Sequence, residues 1–102
     1  GPWAVTADEL PDGATGLNLQ TRLNGQVMQN ASTGDMLFPV AELISIISQA
    51  ITLEAGDIIV TGTPAGIGWA RTPKLFMKPG DVVEVEIDGI GVLRNPVADE
   101  AA

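Results

Sequence analysis

Hydrophobic residues recur at Leu17, Leu19 and Leu23, in step with Thr21, and Asn18, Gln20 and Arg22 fall between them. A period of two sends alternate side chains to opposite faces, so this run predicts a half-buried β-strand. Asn24-Gly25 then leads into Gln26-Val27-Met28-Gln29. Asn-Gly between two such runs predicts a tight hairpin, because the favoured two-residue turn needs positive φ at both central positions. The alternation returns in Val82-Val83-Glu84-Val85-Glu86-Ile87, and Asp88-Gly89 turns the chain back into residues Gly91 to Val97. The period changes once. Val40, Leu43, Ile44, Ile47 and Ile51 follow Pro39 at helical spacing, with Glu42, Ser45, Ser48 and Gln49 mainly on the other side. This predicts one amphipathic helix over Val40–Thr52, with Pro39 at the first turn, where its missing N–H is harmless. The apolar side of that helix is expected to pack on the sheet.

The remaining segments read as short strands and turns. Trp3–Thr6 is a strand candidate, and Asp8-Glu9-Leu10-Pro11-Asp12-Gly13 a turn. Asn30–Asp35 is a polar loop. Glu54-Ala55-Gly56-Asp57 turns into an apolar run, Ile58–Thr61, that predicts a buried strand. Lys78-Pro79-Gly80-Asp81 repeats that turn ahead of Val82, so one turn-into-strand device is used twice. The sum is six or seven strands and one helix. Tight turns between strands imply a mainly β fold, a curled mixed or antiparallel sandwich or roll. Residues 1–97 form one unit, and Ala98–Ala102 a frayed tail.

Composition narrows the chemistry. A chain of 102 residues is at most one domain, and 45% apolar content argues against wholesale disorder. The formal charge is −8 with only five basic residues, which disfavours nucleic acid as a partner. There is no cysteine and no histidine, so disulfides, thiol catalysis, zinc–thiolate sites and a Ser-His-Asp triad are excluded. Tyrosine is absent too. Chemistry must come from carboxylates, hydroxyls, lysine, backbone groups or a metal. No apolar stretch is long enough to span a membrane, and Gly1-Pro2-Trp3 does not resemble a signal peptide.

The richest stretch is Ile58-Ile59-Val60-Thr61-Gly62-Thr63-Pro64-Ala65-Gly66-Ile67-Gly68. A strand-type run stops and a glycine-rich loop begins, which is where backbone groups become free to meet a ligand. The loop lacks the Gly-Lys-Ser/Thr of a P-loop and the order of a dinucleotide fingerprint. Two readings stand. The glycines allow close approach of backbone to a small ligand, with the Thr63 hydroxyl as donor and acceptor, or they serve turn dihedrals alone. Glu84 and Glu86 share one strand face and have the geometry for a common cation, but strand alternation with a solvated face explains the pattern completely. Lys74 and Lys78 are either anchors for a carboxylate or plain surface lysines.

As a set, these segments resemble the C-terminal part of the fumarylacetoacetate hydrolase family. The resemblance rests on Gly1-Pro2-Trp3 with Val5–Glu9, Arg22-Leu23-Asn24-Gly25, Thr33 with Asp35–Phe38, and Val40–Ile44. It continues through Leu53–Asp57, Thr61–Gly68 and Lys78–Glu86, in order over residues 1 to about 97. It implies a metal-dependent enzyme acting on a 2-oxo or β-diketo acid by C–C hydrolysis, decarboxylation or enol–keto isomerisation, as in aromatic catabolism. It implies a cytoplasmic enzyme, often a homodimer. Thr63 matches the family threonine that contacts the substrate carboxylate, and Gly62 its neighbour. The family's metal ligands, a Glu-x-Glu pair and a later Asp, and its catalytic lysine lie upstream of the Gly-Pro-Trp segment. The resemblance therefore assigns no catalytic residue and no metal ligand here. It implies Mg or Mn in the complete enzyme, none held by this chain alone, and a missing N-terminal half or a homo-oligomer as partner. The competing expectation is a truncated, non-catalytic β-rich oligomer or small-molecule-binding protein.

Overall fold

The alternating runs form a four-stranded antiparallel sheet. In the computed structural model, which describes residues 1–100, β1 (Asn18–Leu23), β2 (Gln26–Ser32), β3 (Val82–Ile87) and β4 (Gly91–Pro96) stand in the order β2-β1-β3-β4. The sheet does not close. Asn24 and Gly25 take φ of 51° and 79°, the positive values that the predicted hairpin demands. Register explains the two faces. Leu19, Thr21 and Leu23 oppose Ile87, Val85 and Val83, while Gln20 and Arg22 oppose Glu86 and Glu84. One face is thus apolar and the other carries charge. The core is thin, with Leu17 and Leu23 its buried apolar side chains.

The charged face is internally neutralised. Arg22 donates to Glu84 Oε2 at 3.1 Å and to Glu86 Oε2 at 2.6 Å, and Arg94 reaches Glu84 Oε1 at 3.3 Å. Bonds to Glu86 and Glu84 hold the Arg22 guanidinium in its charged form, raising its pKa further.

Several expectations change. Trp3–Thr6 is not a strand: Trp3 and Pro2 sit against Gly91, and a 3₁₀ turn begins at Ala7. Asn30–Asp35 is not all loop, because β2 runs on to Ser32 by pairing Asn30 with Gln20 and Ser32 with Asn18. Only Thr33–Asp35 turns, held by Ser32 Oγ accepting from Gly34 N and Asp35 Oδ2 accepting from Ser32 N. The helix, α1, spans Val40–Ser48 and ends early: the backbone N–H of Gln49 reaches Ile46 and Ile47, and Ile51 is 62% exposed. It does not lie packed on the sheet. It rests beside the Asp12–Ala14 turn, and none of its residues is buried.

The largest change concerns Ile58–Thr61. No backbone hydrogen bond joins these residues to another segment among the described residues, and Ile58 and Val60 are 87% and 88% exposed. A strand needs a neighbour for its N–H and C=O groups. The segment joins no ladder at either open edge of the sheet among the described residues, so it remains unpaired backbone. Among the described residues the expected six or seven strands fall to four, for this reason and the loss of Trp3–Thr6. Of the expected frayed tail, Ala101 and Ala102 lie outside the described residues.

Candidate functional site

The apolar face of β1 and β2 carries the Gly62–Gly68 loop above it. An irregularity in β2 seats the loop. Thr21 pairs with Gln29 but Arg22 with Val27, so Met28 is an extra residue in the ladder, a β-bulge. The Met28 carbonyl accepts from Arg71 Nη2 at 2.6 Å, and Arg71 Nε donates to the Gly66 carbonyl at 3.0 Å. Arg71 thus bridges strand and loop. Gly66 has φ of 109°, and a Cβ there would overlap the Met28 carbonyl oxygen. A Cβ at Gly68 would overlap the Leu75 carbonyl, and Leu75 N donates to Gly68 O at 3.0 Å. These two glycines allow backbone to approach backbone within the protein. Gly62, with φ of 96° and open space around it, serves a dihedral that other residues adopt only under strain.

Gln29 makes the second attachment. Its Oε1 accepts from Thr21 Oγ1 at 2.8 Å, and its Nε2 donates to Thr63 Oγ1 and to the Pro64 carbonyl, both at 2.8 Å. The loop is therefore held at Thr63–Pro64 and again at Gly66.

Below the loop lies an open cavity of about 410 Å³. Leu19, Met36, Phe38 and Leu43 form its apolar wall; Thr61, Gly62, Thr63 and Asp35 are among its polar lining. A concave apolar space with a few polar groups at one side suits a small ligand with a polar end. Gly62 and Thr63, singled out from sequence, both line it. Gln29, Arg71 and the Met36–Phe38 wall were not singled out. Gln29 left no readable signal: the bulge at Met28 sets it opposite Thr21, while Val27 falls opposite Arg22 on the other face.

Other candidates fall elsewhere. Glu84 and Glu86 sit on the opposite face, engaged by Arg22 and Arg94. Lys78 Nζ binds Asp81 at 3.0 Å, and Lys74 Nζ stacks 3.3 Å from the centre of the Trp69 ring, so neither approaches the cavity. Among the described residues no three acidic side chains come together as a metal site. The two carboxylates best spaced for a cation are already bound to guanidinium groups, so the residues described do not fit a resident metal.

Known proteins supply the class. Residues 1–98 match the fumarylacetoacetate (FAA) hydrolase C-terminal family, and the chain belongs to it. An uncharacterized protein of Staphylococcus saprophyticus is 46% identical over 100 residues, 98% of this chain and 33% of that protein. The fumarylacetoacetate hydrolase of psychrophilic Exiguobacterium antarcticum is 43% identical with a TM-score of 0.91, over 98% of this chain and 35% of its own. Maleylpyruvate hydrolase from Sphingobium sp. SYK-6, in complex with manganese(II) and pyruvate, is 35% identical with a TM-score of 0.81, over 94% and 33%. The chain spans about a third of the length of each. Among the described residues no helix is long and apolar enough to cross a membrane.

Proposed function

We propose that this chain is the loop-bearing C-terminal portion of a metal-dependent enzyme that acts on a small 2-oxo or β-diketo acid. The reaction class is C–C hydrolysis, decarboxylation or enol–keto isomerisation. Thr63 and Gly62 are the substrate contacts: the Thr63 hydroxyl meets a carboxylate or carbonyl oxygen, and the apolar wall takes the rest of the molecule. The observation that carries this reading is the placement of both residues on the lining of the 410 Å³ cavity. Family membership supports the enzyme class, and pyruvate bound to the Sphingobium hydrolase supports the substrate chemistry. The metal ligands and the acid–base group come from polypeptide outside this chain, since Glu84 and Glu86 are spent on Arg22.

The test is made on the assembled enzyme, after intact-mass analysis of what co-purifies with the chain. Thr63→Val removes one hydroxyl at nearly constant shape. Substrate affinity falls about tenfold, the loss of one good hydrogen bond, while metal affinity stays nearly intact. Equal loss of both overturns the role given to Thr63.

A second reading, a non-catalytic oligomer or a small-molecule-binding protein, is favoured by the open Ile58–Thr61 segment, which self-association would cover. It predicts ligand uptake without metal, and a sedimentation coefficient that rises with protein concentration.

A further inference from the structure

The hydrogen bonds around Gln29 fix more than the position of the loop. We propose that Gln29 is a positioning residue that sets the polarity of the Thr63 hydroxyl, turning its proton toward the cavity so that the site presents a donor and selects an oxygen acceptor. This rests on the reading of Thr63 as a ligand contact.

The polarity follows from the Pro64 carbonyl. A carbonyl oxygen can only accept, so the Gln29 group 2.8 Å from it must be the NH₂. That same nitrogen lies 2.8 Å from Thr63 Oγ1 and spends its second hydrogen there. The Thr63 oxygen is thus an acceptor on its strand side. The remaining carboxamide oxygen takes the Thr21 hydroxyl at 2.8 Å, which prevents the amide from flipping. All donors and the acceptor of the Gln29 head are used, and the Thr63 proton has no protein acceptor among the described residues. It is left for whatever occupies the cavity that Thr63 lines.

The experiment uses the ¹⁵N-labelled 102-residue chain as wild type, Gln29→Glu, Gln29→Met and Thr63→Val. Nuclear Overhauser contacts between the Gln29 carboxamide protons and Thr63 are recorded first, without ligand. Pyruvate and uncharged methyl pyruvate are then titrated while the Gly62, Thr63 and Ala65 amides are followed. Glutamate can only accept from Thr63, so it pulls the hydroxyl proton back to the strand. Gln29→Glu and Thr63→Val are expected to weaken both probes about tenfold; Gln29→Met, which frees the hydroxyl without reversing it, loses less. Equal binding by wild type and Gln29→Glu overturns the proposal, as does a loss confined to charged pyruvate, which is charge repulsion. Absent Overhauser contacts overturn it whether or not anything binds. Contacts present with no shift in any form, wild type included, overturn this proposal, because the hydroxyl proton is then not offered to an oxygen acceptor by this chain. The ligand reading of the loop stands or falls on Thr63→Val in the assembled enzyme.

Discussion

The Asn24 carboxamide donates to the Asp81 carboxylate at 2.9 Å, tying the β1–β2 hairpin turn to the turn that starts β3. Asn24 Oδ1 then accepts from Val82 N, and the Asn24 N–H donates to Val82 O. Asp81 is 4% exposed and also accepts from Lys78 N and Lys78 Nζ. The bond from Asn24, then those from Lys78, pull its carboxyl down to about 2, against the opposing effect of burial.

This relationship makes stability fall in acid. The folded pKa is depressed, so the contribution of Asp81 is whole above the ordinary carboxyl value of 3.8 and is lost as pH falls through about 2. In urea unfolding, Asp81→Asn is less stable than wild type near neutral pH. The two curves converge toward about pH 2. A constant gap across that window would show that the charge of Asp81 is not what matters.

With Leu17 and Leu23 as the buried apolar pair, the core has little redundancy. Leu23→Ala should cost about 2–3 kcal/mol. The same denaturation series reads it as a lowered midpoint at unchanged slope. A cost below about 0.5 kcal/mol, the range of surface changes, would mean that Leu23 is not core.

Gly66 and Gly62 both have positive φ but different surroundings. Gly62→Ala carries backbone strain alone, about 1–2 kcal/mol. Gly66→Ala adds overlap with the Met28 carbonyl, so the loop must leave the bulge and Arg71 loses its bridge. Amide exchange at Thr63 and Gly66 should accelerate in Gly66→Ala and change much less in Gly62→Ala.

Calorimetric titration of the chain with Mn²⁺ should show no stoichiometric uptake, because an ion at Glu84 and Glu86 must displace Arg22 from both. Arg22→Met frees the pair and should give weak uptake that Glu86→Gln abolishes. Stoichiometric binding by the wild-type chain would place a metal centre on this face.

Ile58→Lys with Val60→Lys replaces side chains that touch almost nothing here. The melting midpoint should move by the equivalent of about 0.5 kcal/mol or less. If wild type self-associates or holds a partner through this segment, the double variant will sediment as the free chain. A large loss of stability would mean that the segment is packed within the chain.

Local codes were legible and long-range ones were not. Asn24-Gly25 determines its own turn, and the alternation in Leu17–Leu23 and Val82–Ile87 determines which face is apolar, so those elements were readable in isolation. Ile58–Thr61 has the same local character, but strandedness depends on a neighbour, and no local pattern encodes one. Val40–Thr52 shows the same limit: spacing located the helix, yet neither its early end nor its seat beside Asp12–Ala14 is written in the period. In the site, Thr63 was visible because its loop has a distinctive composition. Arg71 and Gln29 were not, since their role depends on a bulge that brings Met28 out of register.

The doubled turn bears on how the chain begins to fold. Asp57 Oδ2 accepts from Glu54 N at 2.8 Å, and Asp81 Oδ2 accepts from Lys78 N at 2.9 Å, with Gly56 and Gly80 at φ of 102° and 90°. Each closure spans four residues, so its loop entropy is small and it can form on the timescale of the fastest local events. Both stretches of chain are therefore aimed before any strand has found its neighbour. The sequential search that follows is shortened at two points, and only the one at Asp81 is completed by a ladder among the residues described.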